Sequence, residues 1–200
     1  MLNRKIRNAL VLTSAALFAF TSAALAELNE ETIHLCQTGN PVQVWQALNI
    51  RALSVSEKND DGKTALMFMA ETNTMPEAFI SLINAGAKVN GRDKLGRTPL
   101  MYAAASNSSS TVIKTLLNAG ANVNDRDIKG NTALMIAAQH SDNNEIISAL
   151  LAAGADTGAV NSENKTALML AAANKDLAGS EGFWELNNRH WEHVSSQNVN

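Results

Sequence analysis

The repeating unit of this sequence is clearest in Thr98-Pro99-Leu100-Met101-Tyr102-Ala103-Ala104. Three relatives of this stretch lie elsewhere in the chain: Thr64-Ala65-Leu66-Met67, Thr132-Ala133-Leu134-Met135 and Thr166-Ala167-Leu168-Met169. Their first residues, at positions 64, 98, 132 and 166, are 34 residues apart. Two further series keep this step: Gly62, Gly96, Gly130 and then Asn164, and Gly86, Gly120 and Gly154. A constant interval of this length predicts a protein built from stacked repeats.

Each unit has the residues of a helix pair. The threonine can cap a first helix, because its side chain accepts from an unpaired backbone N–H, and proline is tolerated in the first turn. A second helix follows, with apolar residues at i, i+3 and i+4, as in Ile146-Ile147-x-x-Leu150-Leu151. Gly120 and its equivalents end it by supplying a left-handed cap. Asn164 fits the last turn, since asparagine tolerates positive φ.

The period and these residues resemble the ankyrin repeat, a helix-turn-helix unit with a hairpin turn. The resemblance covers most of residues 28–177. It implies an all-α solenoid of about five stacked helix-turn-helix units with short hairpin turns, of which the two end units are degenerate caps. The family's Thr-Pro-Leu-His motif has methionine in place of histidine here. We therefore expect methionine to fill that space by packing.

The first 26 residues are predicted to be a cleavable signal peptide. A basic segment, 4–7, precedes an apolar run, 9–20, and Ala24-Leu25-Ala26 offers the small residues of a cleavage site. The alternative is a retained membrane anchor, which the shortness of the apolar run disfavours. The short signal and the style of the repeats resemble secreted bacterial ankyrin proteins. This resemblance implies the periplasm of a Gram-negative cell.

The predicted repeat domain covers residues 27–200. Its terminal units are expected to be atypical, because one face of each meets water. In the first unit, Val42, Val44, Trp45 and Leu48 are predicted to form the buried face of the second helix. The predicted boundaries are an N-terminal cap repeat at 27–56, full repeats at 57–90, 91–124 and 125–158, and a C-terminal cap repeat and helix at 159–200.

The end of the chain allows two interpretations. One arc of a predicted helix is apolar and holds Phe183, Trp184, Leu186, Trp191 and Val194. The helix could cap the last repeat, or it could bind a partner or a membrane surface. An acidic polar face argues against anionic lipid.

Charge and cysteine content narrow the function. The chain has 16 basic and 19 acidic residues, and signal cleavage would leave 13 against 19, a net charge of −6. Such a balance disfavours nucleic-acid binding. Cys36 is the only cysteine, so no intramolecular disulfide can form. It matches an alanine position on a first helix, which favours a buried small residue over a reactive thiol.

We expect no enzyme activity, cofactor or metal. The sequence has no phosphate-binding glycine loop with lysine, no His-Glu-x-x-His and no Gly-x-Ser-x-Gly. Its histidines share no repeat position, and His190 and His193 lack an evident third metal ligand. His140 is predicted in a solvated loop after a first helix.

The family resemblance also implies where a partner would bind. In that family, contact residues flank the capping Asp and the turn Gly, or follow the Ala-Ala pair. Transferred by motif, the partner-binding residues are Lys58, Asp60, Lys63, Arg92, Lys94, Leu95, Arg97, Arg126, Ile128, Lys129, Asn131, His140 and Lys165. The aligned Asn59, Asp93, Asp127 and Asn161 are predicted to be structural. A further series, Phe68, Tyr102, Ile136 and Leu170, is predicted to lie in the core.

The central tips are basic and include the apolar Leu95 and Ile128, which suits a protein partner with an acidic surface. The alternative is that these are solvated turn residues. The sequence therefore predicts a non-enzymatic interaction scaffold of the cell envelope, an adaptor or stabiliser that is a monomer when free. A stoichiometric inhibitor or immunity-type protein against a periplasmic toxin or hydrolase is the alternative. We expect no nucleic acid and no stable membrane anchor.

Overall fold

The computed structural model describes residues 30–49, 52–106 and 109–197. The predicted signal segment lies outside them. The described residues form ten helices and no strand. The helices are α1 (Glu30–Thr38), α2 (Pro41–Asn49), α3 (Ala65–Thr72), α4 (Pro76–Asn84), α5 (Pro99–Ser106), α6 (Ser110–Asn118), α7 (Ala133–His140), α8 (Asn144–Ala152), α9 (Ala167–Ala173) and α10 (Glu181–Gln197).

The helices stack in two layers. The odd-numbered helices α1 to α9 each contact the next odd-numbered helix, and the even-numbered helices α2 to α10 do the same. Each odd-numbered helix also contacts the helix that follows it in the chain. The result is five stacked helix pairs, which confirms the predicted all-α solenoid.

Local backbone requirements explain where the helices begin and the turns lie. The Thr132 and Thr166 side chains accept from the N–H groups of Met135 and Met169 at 3.3 Å, and so cap α7 and α9. In the last turn Asn164 adopts φ 57°, as the turn glycines of the earlier repeats adopt positive φ. The predicted helix starts and turns are therefore confirmed.

The core contains the residues that the repeat pattern places there. Met67, Met101 and Met135 are at most 1% exposed, which confirms that methionine fills the histidine position by packing. The fourth, Met169, is 58% exposed, because no described repeat follows α9 to cover it. Cys36 is fully buried as predicted, and this burial raises the pKa of its thiol to about 12.

The series of aromatic and aliphatic residues that was predicted to lie in the core, one in each repeat, also packs there. Phe68, Tyr102 and Leu170 are buried, and Ile136 is partly buried against the same cluster. In the first unit the prediction is half wrong: Val44 is buried, but Val42 and Trp45 are exposed. The reason is that, among the described helices, α2 packs mainly on α1 and α4, which leaves its outer side open.

The last helix, α10, packs on α8 and α9, as a cap would. Two glycines let it approach closely. A Cβ on Gly158 would lie 2.4 Å from His193 Nε2, and a Cβ on Gly182 would lie 2.9 Å from Asn144 Oδ1. His190 Nδ1 also lies 3.0 Å from the Thr157 carbonyl oxygen. The two histidines therefore contribute to docking.

The predicted apolar arc of α10 is wrong in part. Leu186 is fully buried and Phe183 packs against the core, whereas Trp184 and Trp191 are 55% and 59% exposed. Gly182, Leu186 and His193 follow one face at helical spacing, and this face meets Asn144 at the start of α8 and Gly158 beyond its end. The tryptophans lie outside that contact.

Candidate functional site

Four hairpin turns carry all the predicted contact residues except His140, and in each turn one Asn or Asp side chain accepts hydrogen bonds from the backbone. Asp93 Oδ1 accepts from the N–H groups of Leu95 and Arg97, both at 2.8 Å. The same two hydrogen bonds recur in every turn, and they confirm that the aligned Asn or Asp of each turn has the predicted structural role. Those residues are Asn59, Asp93, Asp127 and Asn161.

Neighbouring turns are joined by backbone hydrogen bonds. The N–H of Lys94 donates to Asp61 O at 2.9 Å, that of Ile128 to Leu95 O at 3.0 Å, and that of Ser162 to Lys129 O at 2.9 Å. These bonds align the turns side by side. We call the aligned residues the tip row; they are Asp60, Asp61, Lys94, Leu95, Ile128, Lys129, Ser162 and Glu163.

The centre of the tip row is apolar and basic. Leu95 and Ile128 meet across one of these backbone bonds and are 44% and 68% exposed. Lys94 and Lys129 flank them, and their side chains make no hydrogen bond or ion pair within the described residues. Asp60, Asp61 and Glu163 lie at the two ends of the row. From the first turn to the fourth, the exposed charges are therefore acidic, basic, basic and acidic.

Three other predicted contact residues form bonds between repeats. Lys58 Nζ donates to Arg92 O at 2.9 Å, Arg92 Nη1 to Arg126 O at 2.7 Å, and Arg126 Nη1 to Val160 O at 2.6 Å. We call Lys58, Arg92 and Arg126 the basic ladder. Arg92 Nη2 also lies 2.8 Å from Asp125 Oδ1. Sequence reasoning missed this use of the side chains, although their 34-residue step was visible.

Lys63 is also engaged inside the chain. Its Nζ lies 2.5 Å from Glu71 Oε1, and 4.5 Å and 4.4 Å from the ring centroids of Phe68 and Tyr102. Tyr102 Oη in turn donates to Asp93 Oδ2 at 2.6 Å. Burial and this hydrogen bond raise the pKa of Tyr102 well above its usual range. The cluster thus links α3 and α5 to a hairpin turn; we call the odd-numbered helices the inner helices.

The remaining predicted residues differ in their surroundings. Asn131 contacts Asp127 Oδ2 and the Asn161 side chain. Lys165 pairs with Glu163 at 2.8 Å, and this hydrogen bond lowers the pKa of the Glu163 carboxyl. His140 is exposed as predicted, but it ends α7 rather than lying in a loop. Asp60 is exposed at the first tip.

The part of the chain that the structure describes contains no cluster of three or more His, Cys, Asp or Glu side chains that could hold a metal ion. None of its helices is both long enough and apolar enough to cross a membrane.

A family model describing ankyrin repeats in three copies matches residues 32–127 and 104–182. The chain belongs to the ankyrin-repeat family. No curated protein matches it. Ankyrin repeats are in general non-catalytic modules for protein–protein interaction. The tip row and the inner helices are therefore the surfaces to consider for a protein partner.

Proposed function

We propose that this ankyrin-repeat protein is a non-enzymatic scaffold of the cell envelope. It binds a protein partner through the hairpin tips and the concave inner-helix face, and it serves as an adaptor or stabiliser. The observation that carries the proposal is the exposed Leu95–Ile128 pair between Lys94 and Lys129.

The basic and apolar side chains of the tip row favour a partner whose surface carries the opposite charge. Apolar groups that become desolvated contribute much of the affinity of an interface, and charged groups around them set orientation and specificity. Leu95 and Ile128 supply the apolar part, and Lys94 and Lys129 supply positive charge that no ion pair engages within the described residues. The partner surface should therefore present an apolar group between acidic residues.

The tips are also rigid enough to bind without large rearrangement. The turn side chain of Asp127, the backbone bonds between turns and the basic ladder all hold the tip backbone in place. A surface already in its bound conformation loses little conformational entropy on association. This favours a protein ligand recognised by a fixed surface.

The proposed location is the periplasm of a Gram-negative cell, on the evidence of the predicted signal at residues 1–26. The proposed free state is a monomer, without a stable membrane anchor. A net charge of −6 after cleavage supports a protein rather than a nucleic-acid partner.

The test is capture of the partner from the native host. The mature chain is tagged and crosslinked in the cell envelope, and captured proteins are identified by mass spectrometry. We expect one dominant partner, lost with Lys94→Glu plus Lys129→Glu and with Ile128→Asp. Lys114→Glu is the matched control, since Lys114 is exposed on the outer helix α6. Unchanged capture by the tip variants would contradict the proposal.

The alternative is a stoichiometric inhibitor or immunity-type protein against a toxin or hydrolase in the same compartment. A rigid tip row suits this role as well, since tight inhibition needs a preorganised surface. The captured partner separates the two functions. For an immunity protein the partner is a toxin or hydrolase, binding is very tight, and deletion is lethal only when the toxin is present.

A further inference from the structure

Lys63, which follows the turn glycine of the first full repeat, binds a carboxylate. Its ammonium is held by the Glu71 carboxylate and lies against two aromatic rings. One repeat later, 34 residues along, Arg97 occupies the position of Lys63. The residue in the position of Glu71 is Ala105. The second full repeat thus keeps the cation and lacks its carboxylate.

The Arg97 side chain is short of acceptors. Its backbone is fixed by Asp93, which accepts from the Arg97 N–H at 2.8 Å and donates its own N–H to Arg97 O at 3.1 Å. Its Nε is buried and has no hydrogen-bond partner, and within the described residues its guanidinium pairs with no carboxylate. A buried donor without an acceptor is destabilising, and Arg97 as a whole is only partly buried, so an acceptor that reaches its guanidinium gains that free energy back.

The equivalent positions in the other repeats are satisfied. In the third full repeat both positions are neutral, with Asn131 opposite Gln139. In the last unit Lys165 pairs with Glu163. Arg97 is therefore the cation of this series whose side chain makes no ion pair with a carboxylate of the described residues.

We infer that Arg97 binds a carboxylate side chain of the protein partner. The carboxylate enters the concave face over Ala105 and takes the place that Glu71 holds beside Lys63. A guanidinium suits this ligand, since it can donate two parallel hydrogen bonds to one carboxylate. The inference rests on the proposed function for the nature of the partner, and it adds an acidic residue that reaches the inner helices rather than the tips.

A carboxylate fits better than a phosphate. Asp93 lies beside the site, with Oδ1 on the Arg97 N–H and Oδ2 on the Tyr102 hydroxyl. A phosphate group carries more negative charge than a carboxylate and would be repelled more strongly by this acid. The equivalent Lys63 already pairs with one carboxylate, that of Glu71, beside a turn in which the neutral Asn59 stands in the place of Asp93.

The first test supplies the missing acid within the chain. Ala105→Glu should raise the Tm by about 2 °C relative to the matched Ala105→Gln variant, as expected for one modest ion pair. The gain should vanish when Arg97→Gln is added. Equal Tm values for the Glu and Gln variants would overturn the inference, and so would a gain that persists without Arg97.

The second test observes the guanidinium directly. The Nε–Hε NMR signal of Arg97, assigned by its loss in Arg97→Gln, is followed on titration with N-acetylglutamate methylamide, its glutamine analogue, or inorganic phosphate. We expect a saturable shift with the glutamate compound that is absent with the glutamine compound and suppressed in Ala105→Glu. No shift, an equal shift with the glutamine compound, or a shift at lower concentration with phosphate would overturn the assignment.

Neither test needs the natural partner. Their failure would therefore overturn the role of Arg97 and leave the proposed function standing. Failure of the capture experiment with the tip variants would overturn the proposed function, whatever the response of Arg97.

Discussion

Arg92 Nη1 donates a hydrogen bond of 2.7 Å to the backbone carbonyl of Arg126, the equivalent residue of the next repeat. The same step joins Lys58 to Arg92 and Arg126 to Val160. A solenoid is stabilised by contacts between nearest neighbours, so bonds repeated at each junction add to the stability of the whole stack.

Loss of one ladder side chain should weaken a junction. Arg126→Met removes the donors to Val160 O and Gly130 O and should lower the free energy of unfolding by about 1 kcal/mol. Thermal unfolding followed by circular dichroism would show a Tm about 2–4 °C lower. Lys129→Met is the control and should change the Tm little, because the Lys129 side chain makes no hydrogen bond or ion pair with the residues that the structure describes. Equal Tm values for the two variants would show that the ladder does not stabilise the stack.

Gly120 tests the register of the repeats. Its φ is +90°, and no atom lies within 4 Å of the position a Cβ would take. The cost of Gly120→Val therefore comes from the backbone alone, about 1–2 kcal/mol for a left-handed conformation. Gly120→Asn should cost less, since asparagine tolerates positive φ, as Asn164 does. Chemical denaturation measures both, and an unchanged midpoint for the valine variant would contradict the left-handed cap.

The sequence predicted those features that depend on local backbone geometry. A positive φ at Gly120 and Asn164, the cap at Thr132 and the turn side chain of Asp93 are each required by a few neighbouring residues. Such requirements recur wherever the repeat recurs. The helix starts, the turns and three of the four methionine positions could therefore be predicted before the structure.

Contacts between repeats could not be predicted in the same way. Arg92 and Lys94 lie in the same turn, and both are expected to contact a partner. Only the spacing between turns shows that Arg92 reaches the next carbonyl while Lys94 reaches none. For α10, periodicity gives a broad apolar arc, and the close approach at Gly158 selects which part of it is covered, leaving Trp191 exposed.

Burial of Cys36 should make stability depend on alkaline pH. The folded pKa is about 12, and an unfolded thiol ionises near about 8.5. Between these values the unfolded state binds fewer protons than the folded state, so the free energy of unfolding falls as pH rises. The loss linked to this thiol is about 2 kcal/mol at pH 10.

Cys36→Ala separates this contribution from that of other groups. Urea unfolding at pH 7 and pH 10 should show a smaller loss of stability in the variant than in the wild type. At pH 7 the wild-type thiol should also react with a thiol reagent only as fast as the first repeat opens. Rapid labelling of the folded chain, or identical pH dependence in both proteins, would contradict the burial of Cys36.

The docking of α10 should depend on the absence of a side chain at residue 158. In Gly158→Ala the new Cβ would meet the His193 ring, which must then leave its position. We expect α10 to be destabilised by about 1 kcal/mol, toward the lower end for an overpacked contact. Faster proteolysis within α10 and altered tryptophan fluorescence would report it, and adding His193→Ala should restore part of the protection by removing the clash. Wild-type protease resistance in Gly158→Ala would show that the contact does not hold α10 in place.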